Sequence, residues 1–128
     1  MLSFLIGLFI LLHGLVHLWY FTLSLQWVEF QPEMGWTGRS LLLSNFVPES
    51  TLRPAASILY GLAAAAFVVS GIGIFIRADW VRPVLIGAAL FSSVLILLFW
   101  DGGGDMLVQK GILGLLINLV ILLRFLVF

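Results

Sequence analysis

Residues 2–25, LSFLIGLFILLHGLVHLWYFTLSL, form an apolar run that contains no Asp, Glu, Lys or Arg. An α-helix needs about 20 apolar residues to cross the hydrocarbon core of a bilayer, so this run is long enough. No basic segment precedes it and no small-residue cleavage motif follows it. The pattern therefore predicts a retained transmembrane helix rather than a signal peptide.

The composition of the whole chain also indicates a membrane protein. Of its 128 residues, 62% are hydrophobic and only 9% are charged, whereas soluble domains average about 25% charged residues. Cysteine is absent, which excludes disulfides, iron–sulfur clusters and thiol chemistry. The apolar composition makes membrane lipid an expected partner, and six basic and six acidic residues balance to zero charge, so nucleic acid is not expected to bind.

Three further apolar segments follow the first one. Together they predict an all-α fold, an integral membrane four-helix transmembrane bundle that occupies residues 1–128 as a single domain. The predicted helices cover about 2–25, 54–76, 83–100 and 110–128. A long loop, 26–53, mixes tryptophans such as Trp36 with acidic residues, a composition typical of a segment at the lipid–water interface.

The charges of the connecting loops indicate an orientation. Three arginines fall on the side of the two termini, and three basic residues fall on the opposite side together with five acids. Cytoplasmic loops carry an excess of Lys and Arg, so the free N-terminal amine breaks this tie. We expect a multi-pass protein of a prokaryotic plasma membrane with both termini in the cytoplasm and the acid-rich side outside.

The histidines of the first helix, His13 and His17, fall on one narrow face because successive helical residues rotate by about 100°. At a rise of about 1.5 Å per residue, each of the other predicted helices offers a polar residue at nearly the depth of His17. This coincidence predicts a polar pocket, or at least a hydrogen-bond network, inside the bundle. The predicted ligand-binding residues are His13, His17, Tyr20, Tyr60, Ser93 and Asn118.

Several roles for the two histidines remain open at this point. They could serve only as hydrogen-bond partners of neighbouring helices, although ionisable residues inside a membrane are functional candidates by default. A metal site lacks the glutamate of an HExxH motif and any acid within the spans. His13 and His17 lie four residues apart on one helix, so they cannot bind the two opposite faces of one haem iron. A single-histidine haem or a quinone bound by histidine stays possible, and no catalytic residue or metal ligand is predicted.

The order and spacing of several strings resemble a family of small prokaryotic four-helix membrane proteins. These strings are HGLVHLWY, VEFQPEMGWTGRSLLLS, ADWVRPVLIGAAL, LFWDG and LVQKGILGLLINLVILL. The resemblance implies the four-helix fold but no activity and no functional residues. More distantly, the layout resembles DoxX-type proteins, some of which are linked to quinone-dependent redox reactions. The DoxX-type lysine or acid near the first helix is not evident here.

Three functional hypotheses follow from these features. The first is a binding protein rather than an enzyme, which takes a small or lipidic ligand in a polar intramembrane pocket lined by His13 and His17. The second is a membrane oxidoreductase subunit that uses quinone or haem. The third is a transporter or channel component formed as a homo-oligomer or within a larger membrane complex, although the spans carry no charge at their midplane.

Overall fold

The protein is described by a computed structural model that covers residues 1–27 and 36–127. Helix α1 is Leu2–Ser24, α2 is Glu49–Phe75, α3 is Val81–Leu98 and α4 is Ile112–Leu126. The predicted all-α, four-helix fold is confirmed, and the described residues contain no strand. Part of the predicted interfacial loop, 28–35, lies outside the described residues.

The first three helices are long and apolar enough to cross a membrane, with 23, 27 and 18 residues. Helix α4 has 15 residues and rises about 22 Å, which is less than the hydrocarbon thickness of about 30 Å. The predicted helix over 110–128 was too long, since α4 begins at Ile112 and ends at Leu126. Gly111 has a left-handed φ of 108°, which ends the preceding turns at 105–111 and separates them from α4.

Helix α2 begins at Glu49, five residues before the predicted start at 54. Its first turn forms because the amides of Thr51 and Leu52 both donate to the carbonyl of Pro48. Arg53 pairs with Glu49 at 2.6 Å, an i,i+4 ion pair that supports the same turn. Pro54 thus lies inside the helix rather than at its start, and the predicted loop is shorter by these residues.

Helix α3 begins and ends two residues earlier than the predicted 83–100. Pro83 occupies its first turn, where a backbone N–H has no helical partner and its absence costs little. Helix α1 ends at Ser24, one residue before the predicted end.

Helix α1 packs most extensively against α2. A Cβ atom added at Gly71 would lie 2.9 Å from the carbonyl oxygen of Gly7 and 3.0 Å from the backbone nitrogen of Leu11. One added at Gly14 would lie 3.1 Å from the carbonyl oxygen of Ala64. Because small residues let membrane helices approach closely, these glycines set the α1–α2 distance.

Residues 36–48 dock on the end of α3. The amide of Leu41 donates to the carbonyl of Trp100 at 2.7 Å. Trp36 is buried and its ring meets Phe99 edge-on, with centroids 5.6 Å apart. Trp36 was therefore wrongly predicted as an interface residue, whereas Phe46 in the same segment is exposed. Residues 36–48 and 99–111 together form the "loop end" of the bundle.

Two apolar clusters fill the interior. The cluster nearer the loop end includes Tyr20, Tyr60 and Phe99. The other cluster includes Ile10, Phe67 and Ile121. On α1 the two histidines fall between Ile10 and Tyr20, so a polar layer separates the two apolar clusters.

Candidate functional site

The predicted polar face of α1 turns into the bundle. His13 is 5% exposed and His17 is 3% exposed, and Tyr20 and Ser24 on the same face are also buried. An uncompensated polar group in hydrocarbon costs several kcal/mol, about 2–7 by transfer measurements. The partners of these side chains therefore decide what the layer does.

His17 is held between its own helix and α3. Its Nδ1 lies 3.0 Å from the carbonyl oxygen of His13, and its Nε2 lies 2.6 Å from the Ser92 hydroxyl. A carbonyl oxygen can only accept, so Nδ1 carries the proton of the neutral ring. Nε2 then accepts, and the Ser92 hydroxyl donates to it.

Asn118 of α4 completes the layer. Its Nδ2 donates to Ser92 Oγ at 2.9 Å and to Ser93 Oγ at 3.2 Å. Ser93 already donates to the carbonyl of Ala89 at 2.8 Å, so it must accept from the amide. This places Oδ1 of Asn118 toward His13, whose Nε2 donates to it at 3.0 Å.

These bonds form one directional network across α1, α3 and α4, which we call the histidine network: His13, His17, Ser92, Ser93 and Asn118. As neutral imidazoles, the two histidines take opposite tautomers, with His13 protonated at Nε2 and His17 at Nδ1. Helix α2 contributes an aromatic wall, since Phe67 lies 4.7 Å from the ring of His13 and 5.2 Å from that of His17. Each histidine Nε2 atom already has a protein partner.

Ser92 was not among the predicted site residues, yet it bonds both His17 and Asn118 and is fully buried. The predicted neighbour, Ser93, accepts one longer hydrogen bond from the network, and its hydroxyl donates to the Ala89 carbonyl of its own helix. The spacing of Ala88, Ser92 and Leu95 along α3 marks the inward face. That periodicity could have favoured Ser92 over Ser93.

The two tyrosines lie beside the network on the side of the loop end. Their rings stack with centroids 5.0 Å apart. The Tyr20 hydroxyl donates to the carbonyl of Gln109 at 2.6 Å, which joins α1 to the segment before α4. Tyr60 lies 6.5 Å from the ring of His17, between centroids, and makes no hydrogen bond to it. The structure thus brings the predicted residues together, with the tyrosines outside the hydrogen-bonded part.

The loop end contains a small cavity of about 10 Å³ between the tyrosines and the loops, close to the volume that one water needs. A larger groove of about 320 Å³ opens between α3 and α4, within the range of about 300–1,000 Å³ usual for ligand sites. The groove is lined by Ile96, Leu97, Trp100, Gly104, Leu107, Lys110, Ile112 and Leu115.

Lys110 lies in the walls of both spaces. Its side chain is 7% exposed, and its ammonium nitrogen lies 3.0 Å from an Asp101 oxygen and 3.1 Å from an Asp105 oxygen. Burial lowers the pKa of Lys110, but the hydrogen bonds and the charges of the two carboxylates raise it by more. The pKa of Lys110 is therefore above its ordinary value. The hydrogen bond from Lys110 lowers the pKa of the exposed Asp105.

Within residues 1–27 and 36–127, no group of three His, Cys, Asp or Glu side chains could hold a metal ion. The two histidines alone supply too few ligands for a tetrahedral site. Their ring centroids lie 5.0 Å apart at right angles, a contact between neighbours on one helix face.

Comparison of the chain with protein-family models, with curated proteins and with solved structures finds no match. The resemblance to a family of small four-helix membrane proteins stays a prediction from the motifs. The geometry of this chain alone must support any functional conclusion.

Proposed function

We propose that this chain is a small integral membrane protein that binds a small or lipidic ligand, and that the ligand lies in the α3–α4 groove at the loop end. The observation that carries the proposal is the groove itself, whose volume is about 320 Å³. It is lined almost wholly by apolar surface, and Lys110, whose ammonium group pairs with Asp101, forms part of one wall. An apolar site with a few polar groups is the usual composition of a small-molecule pocket.

The histidine network supports this site rather than forming it. Its hydrogen bonds join His13 and His17 to α3 and α4, the two helices that form the groove. That His13 and His17 themselves touch the ligand stays a prediction. The proposal places them one layer below, where they hold α3 and α4 in register.

A photocrosslinking experiment tests the proposal. The probe is a fatty acid methyl ester with a diazirine in its chain, added to the purified protein in lipid nanodiscs. We expect saturable labelling of peptides from residues 96–115, and loss of the label when excess methyl laurate competes. Uniform, non-saturable labelling of all lipid-facing helices would indicate only surrounding lipid and would overturn the proposal.

Two glycine variants provide a matched pair for this test. A Cβ at Gly104, in the groove wall, meets no atom within 4 Å, and neither does one at Gly87 on α3. Gly104→Phe should therefore fill the groove and abolish specific labelling without a steric clash. Gly87→Phe, outside the groove, adds the same side chain and should leave labelling unchanged.

We also propose that the protein lies in a prokaryotic plasma membrane with both termini in the cytoplasm. The support is the distribution of charges, since five of the six acidic residues fall on the side of the bundle opposite the two termini. The chain has no cysteine, so single cysteines can report the topology. A cysteine at Asn45 should react with an impermeant maleimide in intact cells, and one at Asp79 should not; the reverse pattern would contradict this orientation.

A further inference from the structure

The Tyr60 side chain is buried, but its hydroxyl has no hydrogen-bond partner among the residues that the structure describes. Tyr60 is 3% exposed and its side chain lines the small cavity at the loop end. Within residues 1–27 and 36–127, its hydroxyl makes no hydrogen bond. The stacked Tyr20 differs, because its hydroxyl proton is already given to Gln109. Polar groups inside a fold are normally paired, so a hydroxyl that lines a cavity without a partner indicates an acceptor that enters the cavity.

A second donor faces the same space. Lys110 carries three N–H groups, and its recorded partners are the carboxylates of Asp101 and Asp105. The third N–H remains for a further acceptor. Tyr60 and Lys110 thus offer two donors in the wall of one cavity, and a single oxygen with two lone pairs can accept from both.

The cavity is adjacent to the groove. The two spaces share three residues in their walls, Ile96, Trp100 and Lys110. The Trp100 indole N–H donates to the carbonyl of Gly103 at 3.1 Å, which holds this ring in the shared wall. A ligand whose chain fills the groove has its polar end beside these donors.

The local charge limits what this polar end can be. One ammonium group, Lys110, faces two carboxylates, Asp101 and Asp105, so the cluster is net negative. Arg39 shares a separate, open surface basin with Asp101, but its side chain is exposed and therefore screened by water. A negatively charged end would be repelled, and a purely hydrocarbon end would leave the Tyr60 hydroxyl and the third N–H of Lys110 without an acceptor.

Building on the proposed function, we infer that the ligand is an uncharged lipid with a carbonyl oxygen at its polar end, which accepts hydrogen bonds from Tyr60 and Lys110. The chain of the lipid lies in the groove and its carbonyl enters the cavity past Trp100. Uncharged esters and other neutral carbonyl lipids have this chemistry, whereas fatty acids end in a charged carboxylate and anionic phospholipids carry a charged phosphate beside their ester carbonyls.

Competition against the crosslinking probe tests this inference with three compounds of the same chain length. Methyl laurate has a neutral carbonyl, laurate has a charged one, and dodecane has none. We expect methyl laurate to compete at about a tenfold lower concentration than either of the others, the effect of one hydrogen bond. Equal competition by methyl laurate and dodecane would overturn the head-group inference while leaving the groove proposal intact.

Two variants identify the donor. Tyr60→Phe removes a hydroxyl that has no partner among the described residues, so the protein should stay folded and lose the preference for methyl laurate over dodecane. The control Gly87→Phe lies outside the groove and the cavity and should retain that preference. If Tyr60→Phe keeps the full preference, the inference is wrong. If the wild-type protein shows no saturable labelling at all, the proposed function and this inference both fail.

A charge variant tests the electrostatic part. Asp101→Asn removes one of the two carboxylates beside Lys110, and laurate should then compete better, approaching methyl laurate. The matched Asp105→Asn changes a carboxylate that is 77% exposed, so screening should make its effect smaller. Unchanged exclusion of laurate in Asp101→Asn would contradict a role for the cluster in head-group selection.

Discussion

His13 and Asn118 lie 105 residues apart in the chain and are joined by a 3.0 Å hydrogen bond. The bond connects α1 with α4, two helices that otherwise share little contact because α4 packs mainly on α3. A polar pair between helices in hydrocarbon fixes their register more strictly than apolar surfaces do, since a shift leaves both groups unpaired. The bond thus holds the last helix against the first.

Replacing Asn118 should destabilise the protein more than any other single change in the network. Asn118→Leu removes three hydrogen bonds, to His13, Ser92 and Ser93. At about 0.6–1.7 kcal/mol per interhelical bond, the loss should be about 2–5 kcal/mol. Ser93→Ala loses only the 3.2 Å bond of this set and should cost about 0.6 kcal/mol. Reversible unfolding in detergent measures both, and equal costs would show that Asn118 is not the centre of the network.

The two histidines should show opposite tautomers. The carbonyl of His13 requires the proton of His17 on Nδ1, and Oδ1 of Asn118 requires the proton of His13 on Nε2. The ¹⁵N chemical shifts of the two imidazoles in labelled protein distinguish the forms directly. Ser92→Ala removes the donor to Nε2 of His17 and should shift that nitrogen more than those of His13. Identical tautomers would contradict the assigned direction of the bonds.

The α1–α2 contact should not tolerate a methyl group at Gly71. A Cβ there would lie 2.9 Å from the Gly7 carbonyl oxygen, and backbone cannot move aside as a flexible side chain can. Gly71→Ala should cost about 1–3 kcal/mol, as overpacking usually does. The control is Gly87→Ala on α3, where nothing lies within 4 Å; it should be neutral or stabilising by up to about 1 kcal/mol. A neutral Gly71→Ala would show that the helices are not in backbone contact.

The two acids beside Lys110 should contribute unequally to stability. Asp101 is 14% exposed and also accepts from the Gly103 amide at 2.9 Å, whereas Asp105 is 77% exposed. Asp101→Asn should therefore cost about 1–3 kcal/mol, and Asp105→Asn should have a small effect because water screens it. Thermal unfolding of the two variants in the same detergent compares them, and a larger loss for Asp105→Asn would contradict the geometry.

The stability that Lys110 and Asp105 contribute should decrease both in acid and in alkali. The hydrogen bond from Lys110 lowers the pKa of Asp105 below its ordinary 3.8, so its contribution is present above that pH and is lost as the pH falls through the lowered value. The pKa of Lys110 is raised above its ordinary 10.5, so its contribution is present below that pH and is lost as the pH rises through the raised value.

The midpoint of thermal unfolding, measured against pH for the wild type and for Asp105→Asn, checks the acid side. The small difference between the two proteins should be constant near neutral pH and should shrink only in strong acid. A difference that disappears between pH 5 and pH 7 would show that the Lys110–Asp105 contact does not form.

Which helices form could be predicted because each apolar run carries its own signal. The helix boundaries were harder to predict. Pro54 suggested the start of α2, but the helix begins five residues earlier because the Pro48 carbonyl and the Glu49–Arg53 ion pair stabilise an additional turn. The short length of α4 depended on the left-handed backbone at Gly111, which any of several glycines could have adopted. The prediction that Trp36 faces the lipid–water interface was wrong because the sequence is the same whether this tryptophan contacts lipid or packs against Phe99.

By itself, the sequence determined that the chain is helical, that it is apolar enough to cross a membrane, and that one face of α1 carries polar groups. It also predicted that each other helix offers a polar residue near the depth of His17. Periodicity and length along one segment are local properties, and they suffice for this. Only the tertiary structure decided that Ser92 rather than Ser93 bonds His17, that Nε2 of each histidine bonds a neighbouring helix, and that the open space lies beside Lys110. These facts depend on the rotation and distance between helices far apart in the chain, which packing sets and no single segment encodes.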